Sequence, residues 1–271
     1  MLEQPSKLLN RHRRILTYGI SRLNPKVAHK QNMAPPGLHP MDNRDYTAAI
    51  QSRQQFLGRL GIDVTMLAFV EDPADSEVYV VNRQDTVKHS NYFWDAPIRT
   101  DSLVTRECHV ALPILFADCS PILLLDPVSS ALAVIHAGWH ETMLNIAGNT
   151  VARMQAEFGT RPENLVAYIG PTICYEHYPR SNTVVEQELI EQFEYNTGVE
   201  AAYVTRGDKI YCSIADTNYR LLNHLGVFQI EMSEECTFES KNLPSARRDD
   251  PLIGGPFRHN CLMVAMLREP I

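Results

Sequence analysis

The chain has 271 residues, of which 44% are hydrophobic and 21% are charged, and its formal net charge is −7. A chain of this length can bury a core without disulfide or metal staples. The negative charge argues against non-specific nucleic-acid binding, which needs clustered Lys and Arg, and no apolar run approaches the roughly 18 residues of a membrane span.

Six cysteines are scattered through the chain, and none of them belongs to a C-x-x-C pair. This spacing argues against a structural zinc knuckle and indicates free thiols in a reducing compartment. The basic N-terminal segment is not followed by the apolar region of a secretory signal. We therefore expect a cytoplasmic protein that binds neither nucleic acid nor membrane.

Hydrophobic periodicity predicts a single domain over residues 1–271, with an irregular loop at 24–43 inside a partly irregular first 45 residues. The predicted helices cover residues 46–60, 141–158, 184–193 and 214–225. The predicted strands cover residues 64–70, 77–81, 111–117, 122–125, 132–135, 165–169, 227–232 and 261–267, with a further short strand around Val204. Strands and helices do not strictly alternate, so we expect a mixed sheet with helices on both faces.

Two residues at the ends of buried strands are the first candidates for chemistry. Cys119 lies between two apolar runs, and His136 follows a strand and precedes Ala137, Gly138 and a predicted helix. Antiparallel pairing of the two strands would bring the thiol and the imidazole together, as a nucleophile and base or as two metal ligands. The alternative is a small buried cysteine and a histidine in a turn.

Four motifs resemble the laccase-domain family, also described as YfiH-type, polyphenol oxidoreductase or purine nucleoside phosphorylase proteins. They are DSLVT at residues 101–105, FADCSPILLLDP at 116–127, AVIHAGWHET at 133–142 and YIGPTIC at 168–174. Cys236-Thr237, the segment 245–249 and Arg258 fit as well, so the resemblance runs from about residue 60 to the end. It implies a three-layer α/β/α sandwich with a mixed sheet. It also implies a zinc or copper ion held by an upstream His, the Cys of ADC and the His of HAGW.

Cys119 and His136 match two of the three family metal ligands, whereas Arg83 stands where we align the third. Arginine cannot ligate a metal, so the site uses a replacement ligand, or holds no metal, or the third family ligand aligns elsewhere in the chain. His140, His89 and His109 are the alternatives for that ligand, and His140 also departs from the usual Trp-Arg of the family. The segment Tyr178-Pro179-Arg180 replaces a usual Val-Gly pair.

Several arginines and His140 are candidates for binding substrate or an anion. Arg83, if it points into the site, could hold an anion or favour the Cys119 thiolate. Arg247, Arg248 and Arg258 resemble family arginines that could bind phosphate through bidentate hydrogen bonds. The alternative for this last group is a solvated loop.

The resemblance implies an enzyme acting on purine nucleosides, by phosphorolysis of adenosine, inosine or methylthioadenosine or by deamination of adenosine. Metal-assisted attack, with Cys119 and His136 as ligands, is the expected mechanism, and the protein is expected to be a monomer or a weak homodimer. Two alternatives stay open: a metal-free Cys–His hydrolase or amidase, and a non-catalytic relative that has lost its metal. A multicopper laccase is disfavoured because the sequence has no cluster of His-x-His motifs.

Overall fold

The computed structural model describes residues 5–22, 54–68, 70–71, 75–86, 98–249 and 261–269. The strands are β1 (Leu16–Arg22), β2 (Val70–Glu71), β3 (Val78–Val80), β4 (Ile98–Arg99), β5 (Ser102–Thr105), β6 (Ala111–Phe116), β7 (Ser120–Asp126), β8 (Ala131–Ala137), β9 (Val166–Ile169), β10 (Pro179–Ser181), β11 (Tyr203–Arg206), β12 (Lys209–Cys212), β13 (Gln229–Met232) and β14 (Cys261–Leu267). The helices are α1 (residues 54–59), α2 (Trp139–Met143), α3 (Ile146–Phe158), α4 (Val184–Thr197) and α5 (Ile214–His224).

The largest sheet has six strands in the order β13-β9-β7-β8-β5-β3. Its outer pairs, β13 with β9 and β5 with β3, are parallel, whereas its inner pairs are antiparallel. The inner strands β7 and β8 are apolar runs buried on both faces, which explains why they read as continuous rather than alternating hydrophobic segments. The sheet is therefore mixed, as the sequence predicts.

A second sheet, β1-β14-β6, is antiparallel and packs against one face of the first. Leu123 and Leu125 of β7 belong to the core between the two sheets, whereas Ile122 and Leu124 face the core under the helices. The period of two along β7 thus divides its side chains between two different cores.

Helices cover both outer faces of the paired sheets. Core residues of α2, α3, α4 and α5 pack on the six-stranded sheet, and Phe56 and Leu57 of α1 pack on the outer face of β14. The predicted α/β class, with a mixed sheet between helical layers, is confirmed. Its middle layer consists of two stacked sheets, because β14 presents alternate apolar side chains to both sides.

Two smaller sheets complete the described elements: β10-β12-β11, which is antiparallel, and β2-β4, which is parallel.

The helix predicted over residues 141–158 is broken into α2 and α3 at Asn145, whose φ of 64° is left-handed. The predicted loop at 24–43 lies outside the described residues, as does the first half of the helix predicted at 46–60. None of the helices in the described ranges is long and apolar enough to cross a membrane.

Candidate functional site

Cys119 lies in the turn that carries the chain from the second sheet into the first, between β6 and β7. Asp118, just before it, has a φ of 79°, a left-handed conformation that is costly for a residue with a side chain. Its buried carboxylate accepts hydrogen bonds from Thr237 Oγ1 at 2.6 Å, Ser245 Oγ at 3.0 Å and the Arg247 backbone N at 2.7 Å. Burial raises the pKa of Asp118, and these three donors oppose the rise. Asp118 therefore fixes the turn that presents the thiol.

The register of β7 and β8 places Cys119 and His136 on one face of the sheet. Pro121 pairs with His136, so Cys119, two residues earlier, stands opposite Gly138. A Cβ added at Gly138 would lie 3.1 Å from Cys119 Sγ, which confirms this position. Residues two apart in register are diagonal neighbours, about 7–8 Å apart at Cα and closer at their side chains. The predicted pairing of the two strands is confirmed.

His136 is oriented by a buried carboxylate. Its Nδ1 lies 2.8 Å from Asp101 Oδ1, and its backbone N donates to the Asp101 carbonyl at 2.7 Å. The other Asp101 oxygen accepts from the Asp75 backbone N at 3.0 Å. The acceptor at Nδ1 favours the tautomer that carries its proton there, so Nε2 is the ring nitrogen able to accept a proton or bind a metal.

Tyr178 and Arg247 lie next to Cys119. The Arg247 guanidinium lies 5.1 Å from the centroid of the Tyr178 ring, within cation–π range, and Arg180 lies 5.8 Å from the same ring. Burial raises the pKa of Tyr178 to about 12, the electrostatic influence of the nearby Cys119 adds to the rise, and the two arginines oppose it. Tyr178 is therefore a neutral hydroxyl at pH 7, beside one thiol and two cations.

A charged pair lies beside Trp139, the first residue of α2. Glu186 accepts from Trp139 Nε1 at 2.8 Å and from the Arg180 guanidinium, whose Nε is also 2.8 Å away. Burial raises the pKa of Glu186, but these hydrogen bonds outweigh it and hold the pKa below its ordinary value. His140 follows Trp139, is exposed, and is close enough to favour the charged Glu186 electrostatically. Arg180 is thus linked through Glu186 to Trp139, the residue before His140.

Two of the predicted anion-binding arginines point elsewhere. Arg248 donates to four backbone carbonyls at 2.7–2.9 Å and to both carboxylate oxygens of Asp249, so its guanidinium holds a loop together. Arg83 follows β3, which runs parallel to β5, and its backbone N contacts Glu107 beyond the far end of β5. At about 3.3 Å per residue this is roughly 15–20 Å along the sheet from Asp101. Arg83 therefore lies at the end of the sheet opposite His136.

The remaining predicted residues are placed as follows. Arg258 and His89 lie outside the described residues. His109, with a φ of 62°, lies 3.6 Å from Glu269, and its backbone N bonds to Leu267 at the end of β14. Cys119 and His136 share one face of the sheet, and Tyr178 lies close enough to Cys119 and Arg247 to interact electrostatically with both. The structure leaves Arg83, Arg248 and His109 at other places.

A second group of potential metal ligands escaped the sequence reasoning. Over the described part of the chain, the one set of three mutually close ligand atoms belongs to Cys174, His177 and Cys236, all within 4.8 Å of one another. The sequence does contain an indication of this site, the C-x-x-H spacing of Cys174 and His177. A search for C-x-x-C pairs does not detect that spacing. Asp101, too, was present in the DSLVT motif, but its contact with His136 depends on the pairing of β5 with β8.

Comparisons with known proteins cover most of the chain. A family model described as multi-copper polyphenol oxidoreductase laccase matches residues 29–257. The purine nucleoside phosphorylase YlmD of Bacillus subtilis is 27% identical over 216 residues, which are 79% of this chain and 76% of that protein. The purine nucleoside phosphorylase SCO2081 of Streptomyces coelicolor is 31% identical over 207 residues, 76% of this chain and 79% of its own.

A solved structure has the same fold over nearly the whole length. The crystal structure of the Bacillus licheniformis hypothetical protein YfiH matches with a TM-score of 0.77 and 25% identity, covering 96% of this chain and 94% of that one. The likeness therefore includes both strands that carry Cys119 and His136.

Proposed function

Because this chain belongs to the multi-copper polyphenol oxidoreductase laccase family, with relatives named purine nucleoside phosphorylase, we propose that it cleaves purine nucleosides with phosphate. The observation that carries the proposal is the buried Asp101–His136 hydrogen bond on the strand next to Cys119, together with the Arg247 guanidinium over the Tyr178 ring. An oriented imidazole can donate a proton to the leaving purine, and a guanidinium can bind phosphate.

The reaction assigns a role to each group. A phosphate oxygen forms a bond to C1′ of the ribose, the bond from C1′ to the purine nitrogen breaks, and the departing purine takes the electron pair and a proton. Arg247 binds the phosphate and holds its charge next to C1′. Protonated His136, stabilised by the Asp101 carboxylate, donates its Nε2 proton to the purine. Tyr178, neutral at pH 7, offers a hydroxyl at the same wall.

The family resemblance also implies zinc or copper at Cys119 and His136. A catalytic zinc takes three protein ligands and leaves one position open for water or substrate, whose oxygen it polarises. Among the side chains that the structure describes, the set of three mutually close ligand atoms belongs to Cys174, His177 and Cys236 and does not include Cys119 or His136. We assign proton transfer and phosphate binding to the side chains above.

A cysteine hydrolase is the second candidate, because Cys119, His136 and Asp101 have the order of a nucleophile, its base and an orienting carboxylate. Phosphate dependence separates the two reactions. Phosphorolysis releases base and ribose 1-phosphate only when phosphate is present, whereas hydrolysis or deamination needs water alone. Inosine formed from adenosine would report deamination in the same assay.

The test is an assay of the purified chain on adenosine, inosine and methylthioadenosine, with and without phosphate, following free base by chromatography. We expect phosphate-dependent release that falls by roughly 100-fold or more in His136→Ala, which loses the proton donor. Cys119→Ala is compared with it, because the thiol matters to turnover if it holds the family metal or acts as the nucleophile of the hydrolase. Cys212→Ala is the matched control, since Cys212 is a buried thiol of β12 in the helix-side core. Base release without phosphate would favour hydrolysis, and no turnover of any nucleoside would leave a non-catalytic binding protein and refute the proposal.

A further inference from the structure

The side chains of Cys174, His177 and Cys236 surround one point outside the Cys119 cleft. Cys174 Sγ lies 3.1 Å and Cys236 Sγ 3.9 Å from the same atom, His177 Nδ1. The three ligand atoms all lie within 4.8 Å of one another, and each residue is partly buried. We propose that these residues form a zinc site, separate from Cys119 and His136, that ties the segment after β9 to the segment after β13.

The distances fit a tetrahedral ion. Zinc bonds of about 2.3 Å to sulfur and 2.0–2.1 Å to nitrogen, at a tetrahedral angle, place sulfur and nitrogen about 3.6 Å apart. The two observed distances lie on either side of this value, so small movements of two side chains would complete the site. Zinc binds thiolates and imidazoles, whereas magnesium and calcium prefer oxygen ligands. A set of two cysteines and one histidine therefore favours zinc over magnesium or calcium.

Local structure holds the three ligands in place. Tyr175–His177 forms a 3-10 turn, which brings Cys174 and His177 to one side of the chain. The His177 ring stacks on Phe238 with centroids 4.3 Å apart and planes 17° apart, so its orientation is set by packing. Cys236 is held by a bridge to Thr172 and by a hydrogen bond of 3.2 Å from the Cys174 backbone N to its sulfur.

A fourth ligand position lies on the solvent side. Glu239 Oε1 is 3.7 Å from His177 Nδ1, and its side chain is 66% exposed. Its carboxylate or a water molecule can therefore complete the coordination without rearrangement of the core. An accessible fourth position also lets zinc enter and lets chelators remove it.

The proposed ion would cross-link two segments that contact the turn carrying Cys119. Thr237, next to Cys236, donates to Asp118, and Ile173, next to Cys174, donates to the Asp118 carbonyl at 3.0 Å. Asp118 in turn fixes Cys119 and the Arg247 backbone. A zinc ion at this place would therefore stabilise the turn that presents the thiol, without touching substrate.

The experiment measures metal in the full chain carrying Cys119→Ala and His136→Ala, so that the cleft contributes no ligand. We expect about one zinc per chain after dialysis, falling at least tenfold in versions that add Cys174→Ser or Cys236→Ser. Less than about a tenth of a zinc per chain in the double variant would overturn the proposal. So would full retention of zinc after loss of either cysteine.

A second measurement does not depend on whether the cysteine variants fold. Alkylation of the zinc-loaded double variant, read by mass spectrometry, should leave Cys174 and Cys236 protected until a chelator is added. Cys108, a partly buried cysteine at the other end of the sheet, should react alike in both states. Equal reaction of Cys174 with and without chelator, or recovery of Cys174 and Cys236 as a disulfide, would overturn the proposal. Neither readout uses nucleoside turnover, so the site stands or falls independently of the proposed phosphorolysis.

Discussion

His136 Nδ1 and Asp101 Oδ1 lie 2.8 Å apart at the end of two paired strands, and the His136 backbone N also bonds to the Asp101 carbonyl. The Asp101 side chain is fully buried, whereas the His136 side chain keeps 12% of its surface exposed. The carboxylate therefore fixes one ring nitrogen inside the protein while the ring still reaches the cleft.

The first prediction concerns this pair. Asp101→Asn keeps an oxygen for the Asp75 backbone N but loses the charge that stabilises the imidazolium and selects its tautomer. We expect kcat for nucleoside phosphorolysis to fall by roughly 100-fold or more. Asp126→Asn is the control, since Asp126 is buried at the other end of β7 and accepts hydrogen bonds from its own turn. We expect Asp126→Asn to lose stability and keep its kcat. We expect Asp101→Asn to lose kcat and keep its stability.

The second prediction separates two adjacent arginines. Arg247 lies over Tyr178 beside the cleft, whereas Arg248 binds four carbonyls and Asp249. We expect Arg247→Met to raise KM for phosphate by about tenfold or more through loss of a charged donor, with little change in Tm. Arg248→Met should leave several carbonyls unpaired, cost about 3 kcal/mol, and lower Tm by roughly 5–10 °C. Equal effects of both variants on KM would contradict the assignment of phosphate binding to Arg247.

The strands of the site could be predicted from sequence because their signal is local. The runs that form β7 and β8 are short, apolar and bounded by turns, and their pairing needs only a few residues between them. Pairing of β1 with β14 joins the two ends of the chain, so no local pattern reports it. The same limit explains why β1 itself, with Thr17 and Gly19 in its interior, was not predicted.

The position of Arg83 has the same physical cause. Motif alignment sets Arg83 at the place of the third family ligand, whereas the direction of β3 carries it to the end of the sheet opposite His136. Sequence spacing gives the distance from a strand but not the direction in which that strand runs. Cys236 lies far along the chain from Cys174 and His177. The β-bridge between Thr172 and Cys236 brings it next to them, and sequence spacing does not predict that bridge.

The third prediction concerns pH and Tyr178. Its folded pKa is raised to about 12, above the ordinary 10, because it is buried and lies near Cys119. Below pH 10 both states hold the proton. Between about pH 10 and 12 the unfolded tyrosine ionises first, so the folded state loses up to about 2 kcal/mol of relative stability as the pH rises.

Removal of the hydroxyl tests this sign. In Tyr178→Phe, the free energy of unfolding measured in urea should fall less between pH 9 and pH 11 than in the parent chain. Tyr195→Phe is the control, because Tyr195 is 87% exposed on α4. An equal pH slope in the parent and in Tyr178→Phe would show that this hydroxyl does not titrate differently on folding.

The last prediction uses the close approach at Gly138. Its φ of −78° and ψ of −177° suit any residue, so backbone strain does not require glycine here. A Cβ would instead overlap the Glu141 carboxylate and crowd Cys119 Sγ at 3.1 Å. Because Glu141 is 5% exposed on the first turns of α2, it has little room to move, and the thiol or the start of the helix must shift. We expect Gly138→Ala to reduce phosphorolysis by roughly tenfold or more, since displacements near 1 Å in a reacting centre have effects of this order.

Gly58→Ala provides the matched control for this substitution. Gly58 lies in α1, and a Cβ there would meet nothing within 4 Å. Alanine should therefore stabilise the helix by about 0.5–1 kcal/mol and leave turnover unchanged. Thermal unfolding and kcat/KM are measured on both variants. Full activity in Gly138→Ala would mean that Cys119 and Glu141 tolerate displacement, and that the thiol's position beside Gly138 is not needed for the reaction.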